Sequence, residues 1–298
     1  MEVGSGVTRF VVGERVAGLA VGNDKRSNRA AEGAFQQYVV LRDNLASTIP
    51  ATVSYESASV LPLGMSTAAC GLYMTDFLAL RHPTSPATKP SGEILLVWGG
   101  STSVGSNAIQ LAVASGYEVF TTSSPRNFEY VKSLGANQAF DYNSAAVTED
   151  IIAAMKDKTC AGALAIGSGS VLKCLEIINR CKGRKFVAMA SQPYQPHTIP
   201  KGISGTASML FKFVCAQIWF SIRSVMTGVK SNFVFGSDLM ENEVGNAIWA
   251  NFLPKSLADG NYTCAPTPNV IGEGLESIQD ALDLLAKGVS AKKIVVSV

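Results

Sequence analysis

The stretch EILLVWGGSTSVGSNAIQLAVAS, residues 93–115, decides how the rest of the chain is read. It opens on a short apolar run, residues 94–98, with the length and composition of a strand buried on both faces. Gly99 and Gly100 follow, then Ser101, Thr102 and Ser103, and then Gly105. From Val104 the apolar residues Val104, Ala108, Leu111 and Ala112 recur at helical spacing as far as Gly116. A strand, a tight Gly/Ser turn and a helix make the first half of a βαβ unit. Such a turn leaves backbone N–H groups unpaired at the positive end of a helix, where an anionic group would sit. The spacing departs from G-x-G-x-x-G, because Thr102 stands where the middle glycine is expected.

Downstream the alternation continues. Strands are expected at residues 117–122, 138–142, 162–166 and 185–190. Helices are expected at 127–134, closed by Gly135, at 148–156, capped by Thr148, and at 171–180. Strands alternating with helices imply an α/β fold, a Rossmann-type doubly wound parallel sheet with helices on both faces. Residues 191–208 are a Pro/Gly-rich excursion, followed by a helix over 209–226, a strand at 232–235 and a helix over 242–253 with Val244, Ile248 and Phe252 on one face. An amphipathic helix over 272–285 and a strand at 293–298 end the chain.

Upstream, residues 1–50 read as short strands and turns, with β-prone runs at 11–18 and 33–41 around a polar loop at 22–32. Residues 54–80 turn helical, capped by Ser54 and broken or bent at Pro62 and Gly64. In its second part Leu72, Phe77, Leu78 and Leu80 make an apolar stripe. The three prolines of residues 82–90 mark a linker.

A chain of 298 residues is long for one core, so two domains, or one plus a partial one, are expected. A net charge of +2 gives no reason to expect nucleic acid or an anionic membrane as partner. The six cysteines are scattered without a C-x-x-C pair, and the two histidines, His82 and His197, each stand beside a proline. Zinc needs several such ligands at close spacing, so no metal site is expected and the thiols are read as buried and reduced. Residues 1–10 lack the basic start and apolar core of a secretory leader. The most apolar window, 209–226, carries Lys212, Gln217 and Arg223, and reads as a packed helix rather than a membrane span. The expectation is a cytoplasmic protein.

In a dinucleotide-binding sheet the end of the second strand selects the ribose. A carboxylate there accepts from both ribose hydroxyls and favours NAD, whereas NADP needs donors for its 2′-phosphate. Here the strand ends Thr121-Thr122-Ser123-Ser124-Pro125-Arg126-Asn127, with hydroxyls and a guanidinium and no acid. Arg126 can pair bidentately with a phosphate, so NADPH is the expected cofactor. The missing acid also argues against a methyltransferase, whose adenosyl ribose wants one.

The motifs GGSTSVG, SSPRNFEYVKSLGA, FDY and a terminal GVSAKKIVVSV resemble the zinc-free branch of the medium-chain dehydrogenase/reductase superfamily, in particular its fungal trans-enoyl reductase and quinone-oxidoreductase-like members. The resemblance covers essentially the whole chain. It implies that Gly100, Ser101, Thr102, Ser103, Val104, Gly105 and Ser106 wrap the pyrophosphate. Ser124, Pro125, Arg126, Asn127 and Tyr142 would surround the 2′-phosphate, and Thr67, in GMSTAACGL, would lie near the nicotinamide. It also implies a partial GroES-like β domain over residues 1–60, a Rossmann domain over 61–250 and a return to the first domain over 251–298. VGSGVTRFVVGERVAG resembles the middle of that GroES-like domain, so the strands that normally open it are expected to be absent.

Two functions follow. The first is an NADPH-dependent oxidoreductase that transfers hydride, without zinc, to an activated C=C or C=O of a small apolar or conjugated carbonyl substrate. The second is an NADPH-binding protein with little turnover, because its catalytic strands are incomplete. No Ser/His/Asp set or carboxylate pair names a proton donor. A homodimer is expected from the prevalence of such assemblies.

Overall fold

The computed structural model describes residues 2–191 and 202–298. Residues 192–201, within the Pro/Gly-rich excursion, lie outside the described residues. The chain begins with an antiparallel pair, β1 (Val16–Gly18) and β2 (Ala46–Thr48), then α1 (Tyr55–Ala58) and α2 (Pro62–Tyr73). Next come β3 (Glu93–Trp98), α3 (Ser103–Ala114), β4 (Glu118–Ser123), α4 (Phe128–Ser133), β5 (Gln138–Asp141) and α5 (Val147–Met155). They are followed by β6 (Thr159–Ala165), α6 (Ser170–Arg180), β7 (Lys182–Gly183), β8 (Phe186–Met189), α7 (Gly202–Thr227) and β9 (Lys230–Phe233). The chain closes with α8 (Glu243–Gly245), a π-helical stretch Asn246–Phe252, α9 (Leu253–Ala258), β10 (Thr267–Glu273), α10 (Ile278–Ala286) and β11 (Lys292–Ser297).

Seven strands form one sheet in the order β5-β4-β3-β6-β8-β9, with β7 added beside β6, and every ladder is parallel. From β3 the chain steps outward one way through β4 and β5, and the other way through β6, β8 and β9. The direction reverses between β3 and β6, and in such sheets the crevice at that point, outside the carboxyl ends of the strands, is where ligands bind.

The core follows the alternation of β3. Leu95 and Val97 pack with Val119, Leu164 and the inner faces of α2 and α3, while Ile94, Leu96 and Trp98 face the opposite way with Phe120, Met155 and Ile178. A strand buried on both faces is what makes its sequence continuously apolar.

Several expectations are corrected. Residues 33–41 form no strand: they run as bends, with Phe35 and Tyr38 exposed. Aromatic and β-branched content produces a ladder only where a partner strand is offered. The helical run is broken between α1 and Pro62, which opens α2, whereas Gly64 lies inside that helix without breaking it. The helix ends at Tyr73, so Phe77, Leu78 and Leu80 are buried from the segment beyond. Thr148 is not a cap: Ala146 holds that place and the Thr148 hydroxyl is buried without a partner. Gly272 and Glu273 belong to β10, and the following helix starts at Ile278. Ser54 does cap α1, accepting from the Ser57 N–H at 3.1 Å.

The long helix α7 buries Phe220 in the core layer with Val187 and Met189 of the sheet, and leaves Phe211, Trp219, Ile222 and Val225 exposed. Among the described residues no helix is long and apolar enough to cross a membrane.

Candidate active site

Thr102 organises the turn after β3. Its hydroxyl donates to the Gly99 carbonyl at 2.7 Å and accepts from the Gly105 N–H at 3.0 Å, capping α3. Thr122 on the neighbouring strand holds the other side, accepting from Gly99 N–H through its hydroxyl at 3.0 Å and from Gly100 N–H through its carbonyl at 2.9 Å. A Cβ on Gly105 would lie 2.2 Å from the Gly99 oxygen and 2.7 Å from the Gly100 Cα, so the first turn of α3 can close on the strand end only as glycine. Gly105 thus does the packing that a third glycine does in G-x-G-x-x-G. The middle glycine is replaced by a threonine that caps the helix. Ser103 and Val104 keep N–H groups without a partner among the described residues, and the Ser103 hydroxyl is a buried orphan.

Ser106 is turned inward. Its hydroxyl donates to the Gly100 carbonyl at 3.2 Å, which leaves Tyr130 as the donor across their 2.9 Å contact. Burial pushes the Tyr130 phenol above its ordinary range, with the Ser106 contact opposing.

At the carboxyl end of β4 Ser123 is buried, while Pro125 and Arg126 are exposed. Arg126 has no ion pair among the described residues. Asn127 is buried, and its amide donates to the Ser124 hydroxyl at 3.3 Å and the Ser290 hydroxyl at 3.0 Å. Tyr142, just past β5, is exposed. Gly100 to Ser106 and Ser124 to Asn127 therefore share one edge of the sheet.

Thr67 lies on α2, away from that edge in sequence, and its hydroxyl donates to the Leu63 carbonyl one turn back at 2.8 Å. A Cβ on Gly236 would be 2.7 Å from that oxygen, so the segment after β9 rests on Thr67. Leu63 and Gly236 both line a cleft of about 1080 Å³, whose far wall comes from residues 19–26 and 33–35. The same helix meets the Gly/Ser turn, since a Cβ on Gly64 would sit 2.5 Å from Ser103 Oγ. Adjacent residues of α2 thus touch the cleft and the turn. No described residue of α7 lines the cleft.

The cleft carries charges that sequence reasoning missed. Arg26 donates to both Asp24 oxygens at 2.9 and 2.7 Å and to Asp238 at 2.9 Å, with Glu241 at 3.7 Å. Hydrogen bonds from Arg26, and then from Ser237, hold the Asp24 carboxyl far below the usual carboxylate range. Lys25 lines the same cleft, is exposed and has no ion pair among the described residues.

Among the described residues no three His, Cys, Asp or Glu side chains are placed to hold a metal ion. Burial pushes the Cys160 thiol up to about 12 and the Cys264 thiol up to about 11, which leaves both protonated at neutral pH.

The strand order, the turn and the crevice define a dinucleotide-type α/β protein. Comparison with known proteins narrows this. The chain is similar to the dehydrogenase pigH of Monascus ruber, 52% identical over 297 residues, covering all of this chain and 80% of that one. It is similar to the trans-enoyl reductase himH of Aspergillus japonicus, 34% identical over 300 residues, with 78% of that protein covered. Among solved structures it matches the fold of a quinone oxidoreductase of Pseudomonas syringae pv. Tomato DC3000, with a TM-score of 0.65, 22% identity, and 100% of this chain and 78% of that one covered. No protein-family model matches the chain. The chain belongs to the medium-chain dehydrogenase/reductase superfamily, and is an oxidoreductase of that type.

Proposed function

We propose that the chain is an NADPH-dependent reductase that carries hydride to the electron-poor carbon of an activated C=C or C=O bond, of enoyl, enone or quinone type, without zinc. The observation that carries this reading is the carboxyl end of β4, which offers no carboxylate and presents an exposed Arg126 with no ion pair among the described residues. The strand beside it ends in the turn whose Ser103 and Val104 N–H groups are open.

The fit to the cofactor rests on the Ser103 and Val104 N–H groups left without a partner among the described residues, and on the close approach of α3 to the strand end that only Gly105 permits. Gly100, Ser101, Thr102, Ser103, Val104, Gly105 and Ser106 would hold the pyrophosphate. Ser124, Pro125, Arg126 and Tyr142 would surround the 2′-phosphate, with Asn127 bracing Ser124 from below. Thr67 would lie near the nicotinamide. When bound, the cofactor supplies the hydride.

The chain's own residues then do three things. Thr102 fixes the turn so that the open N–H groups keep the direction of the helix axis. Leu19, Val21, Phe35 and Leu63 give the cleft an apolar lining that suits a conjugated carbonyl and displaces water from it. Lys25 offers an ammonium on that lining, suited to the negative charge that develops on the substrate oxygen.

Titration of NADPH and NADH against intrinsic fluorescence and thermal stability tests the cofactor. Arg126→Leu is expected to weaken NADPH about 10- to 100-fold and leave NADH little changed, the range of a lost charge-assisted phosphate contact. Preference for NADH in the unaltered chain overturns the assignment. Oxidation of NADPH by 2-alkenals, enones or quinones tests the reaction, and stabilisation without any oxidation would leave a binding protein instead.

A further inference from the structure

The two walls of the cleft are distant in sequence and meet at a guanidinium. One wall is the segment after β9, and it is fixed from behind: Gly236 rests on Thr67, and the Cys70 thiol donates to the Phe235 carbonyl at 3.2 Å. The other wall is the loop that includes Lys25 and Arg26, which are both exposed. At its base, Asn44 donates to the Met240 carbonyl at 3.1 Å, a fixed point beyond the lining. Between the walls, Arg26 holds Asp24 of its own loop with two bonds and reaches Asp238 at 2.9 Å, Ser237 at 3.4 Å and Glu241 at 3.7 Å.

On the reading of the chain as a reductase, we propose that Arg26 is a positioning residue that sets the width of the cleft, and thereby the bulk of the substrate that enters. The guanidinium is surrounded by carboxylates and has little left to offer a substrate anion. Its fork engages two acceptors on one wall and reaches the other, a geometry that a lysine point charge does not reproduce. Elsewhere the lining is largely apolar, so substrates are sorted there by shape rather than by pairing. In that regime one carbon more or less changes specificity about 10- to 200-fold. A strut that moves one wall by a fraction of that carbon's size acts on the same scale. The strut is apart from the nucleotide edge, which is built on β3, α3 and β4.

The test uses the full chain with Arg26→Met, Arg26→Lys and Asp238→Asn, assayed with linear and branched 2-alkenals of matched length. Arg26→Met is expected to raise KM for the linear substrate about tenfold with kcat within about threefold, and to shift the branched-to-linear ratio of kcat/KM about tenfold toward the branched one. Asp238→Asn moves the ratio the same way, and Arg26→Lys restores part of it. NADPH affinity stays within about twofold in all three, because neither Arg26 nor Asp238 is among the residues placed on the pyrophosphate or the 2′-phosphate. Amide exchange reads the strut without turnover: residues 22–32 and 235–241 are expected to exchange faster in Arg26→Met, and residues 99–106 unchanged.

An unchanged branched-to-linear ratio, or unchanged exchange in both segments, overturns the proposal. A chain that reduces no alkenal, enone or quinone fails the reductase reading, and the exchange measurement alone then decides whether Arg26 is a strut.

Discussion

The proposed nucleotide edge and the cleft are built in opposite ways. At the edge the bonds are short-range: Thr102 ties Gly99 to Gly105, and Thr122 on the next strand closes the turn. Its members are mostly backbone groups of one βαβ unit, held between two core layers. The cleft is long-range and charged. Arg26 and Asp238 stand 212 residues apart, and the side chains that join its walls are partly exposed. A site of the first kind is as rigid as the sheet beneath it. A site of the second kind depends on an ion pair, which adjusts more easily and is more easily disturbed.

The contrast can be strained from both sides. The largest effect is expected where the cleft leans on the core. Trp249 is fully buried and donates from Nε1 to the Ser66 hydroxyl at 3.2 Å, backing the helix that carries Leu63 and Thr67. Trp249→Ala should cost about 3–5 kcal/mol, read from the urea midpoint. A loss under 1 kcal/mol would mean that α2 stands without this support.

Gly105→Ala comes next. Its added methyl meets backbone rather than a movable side chain, so a loss of about 1–3 kcal/mol is expected, together with weaker NADPH binding. Full NADPH affinity in this variant would show that the turn is less constrained than the cleft, and would reverse the comparison.

The smallest effect is a pH response. The Asp24 carboxyl titrates lower in the folded chain than in the unfolded one, so its contribution is complete above the unfolded value of about 4 and declines as pH falls toward the folded one. Arg26, Asp238 and Glu241 face it and make up the same network. Exchange in residues 22–32 should therefore be flat from pH 7 to about 5 and rise below about 4, after correction for intrinsic rates. A rise centred near neutral pH would assign the loop's stability to another group.

What was legible in the sequence follows the same division. The strand, turn and helix of residues 93–115 could be read because strand burial, glycine placement and helical spacing are local facts. The acid-free end of β4 was legible for that reason too. The misreadings lie where a partner decides. Residues 33–41 have the composition of a strand and no strand to pair with. β10 has Pro268 and Gly272 in it and among the described residues pairs only with β11, across a bulge between Val270 and Gly272, so its sequence reads in part as a helix. The Arg26 network left little signal, since a guanidinium beside Asp24 in a polar loop looks like a solvated local pair until Asp238 and Glu241 arrive from more than 200 residues away.

One contact at the nucleotide edge crosses that division. Asn127, beneath the β4 tip, donates to Ser290, which stands just before the final strand. The loop proposed to distinguish one dinucleotide from the other is thus steadied by a residue 163 positions away in sequence. On the proposed reading, Ser290→Ala would then leave the turn after β3 assembled while loosening the loop at the β4 tip, separating the strength of nucleotide capture from its fidelity.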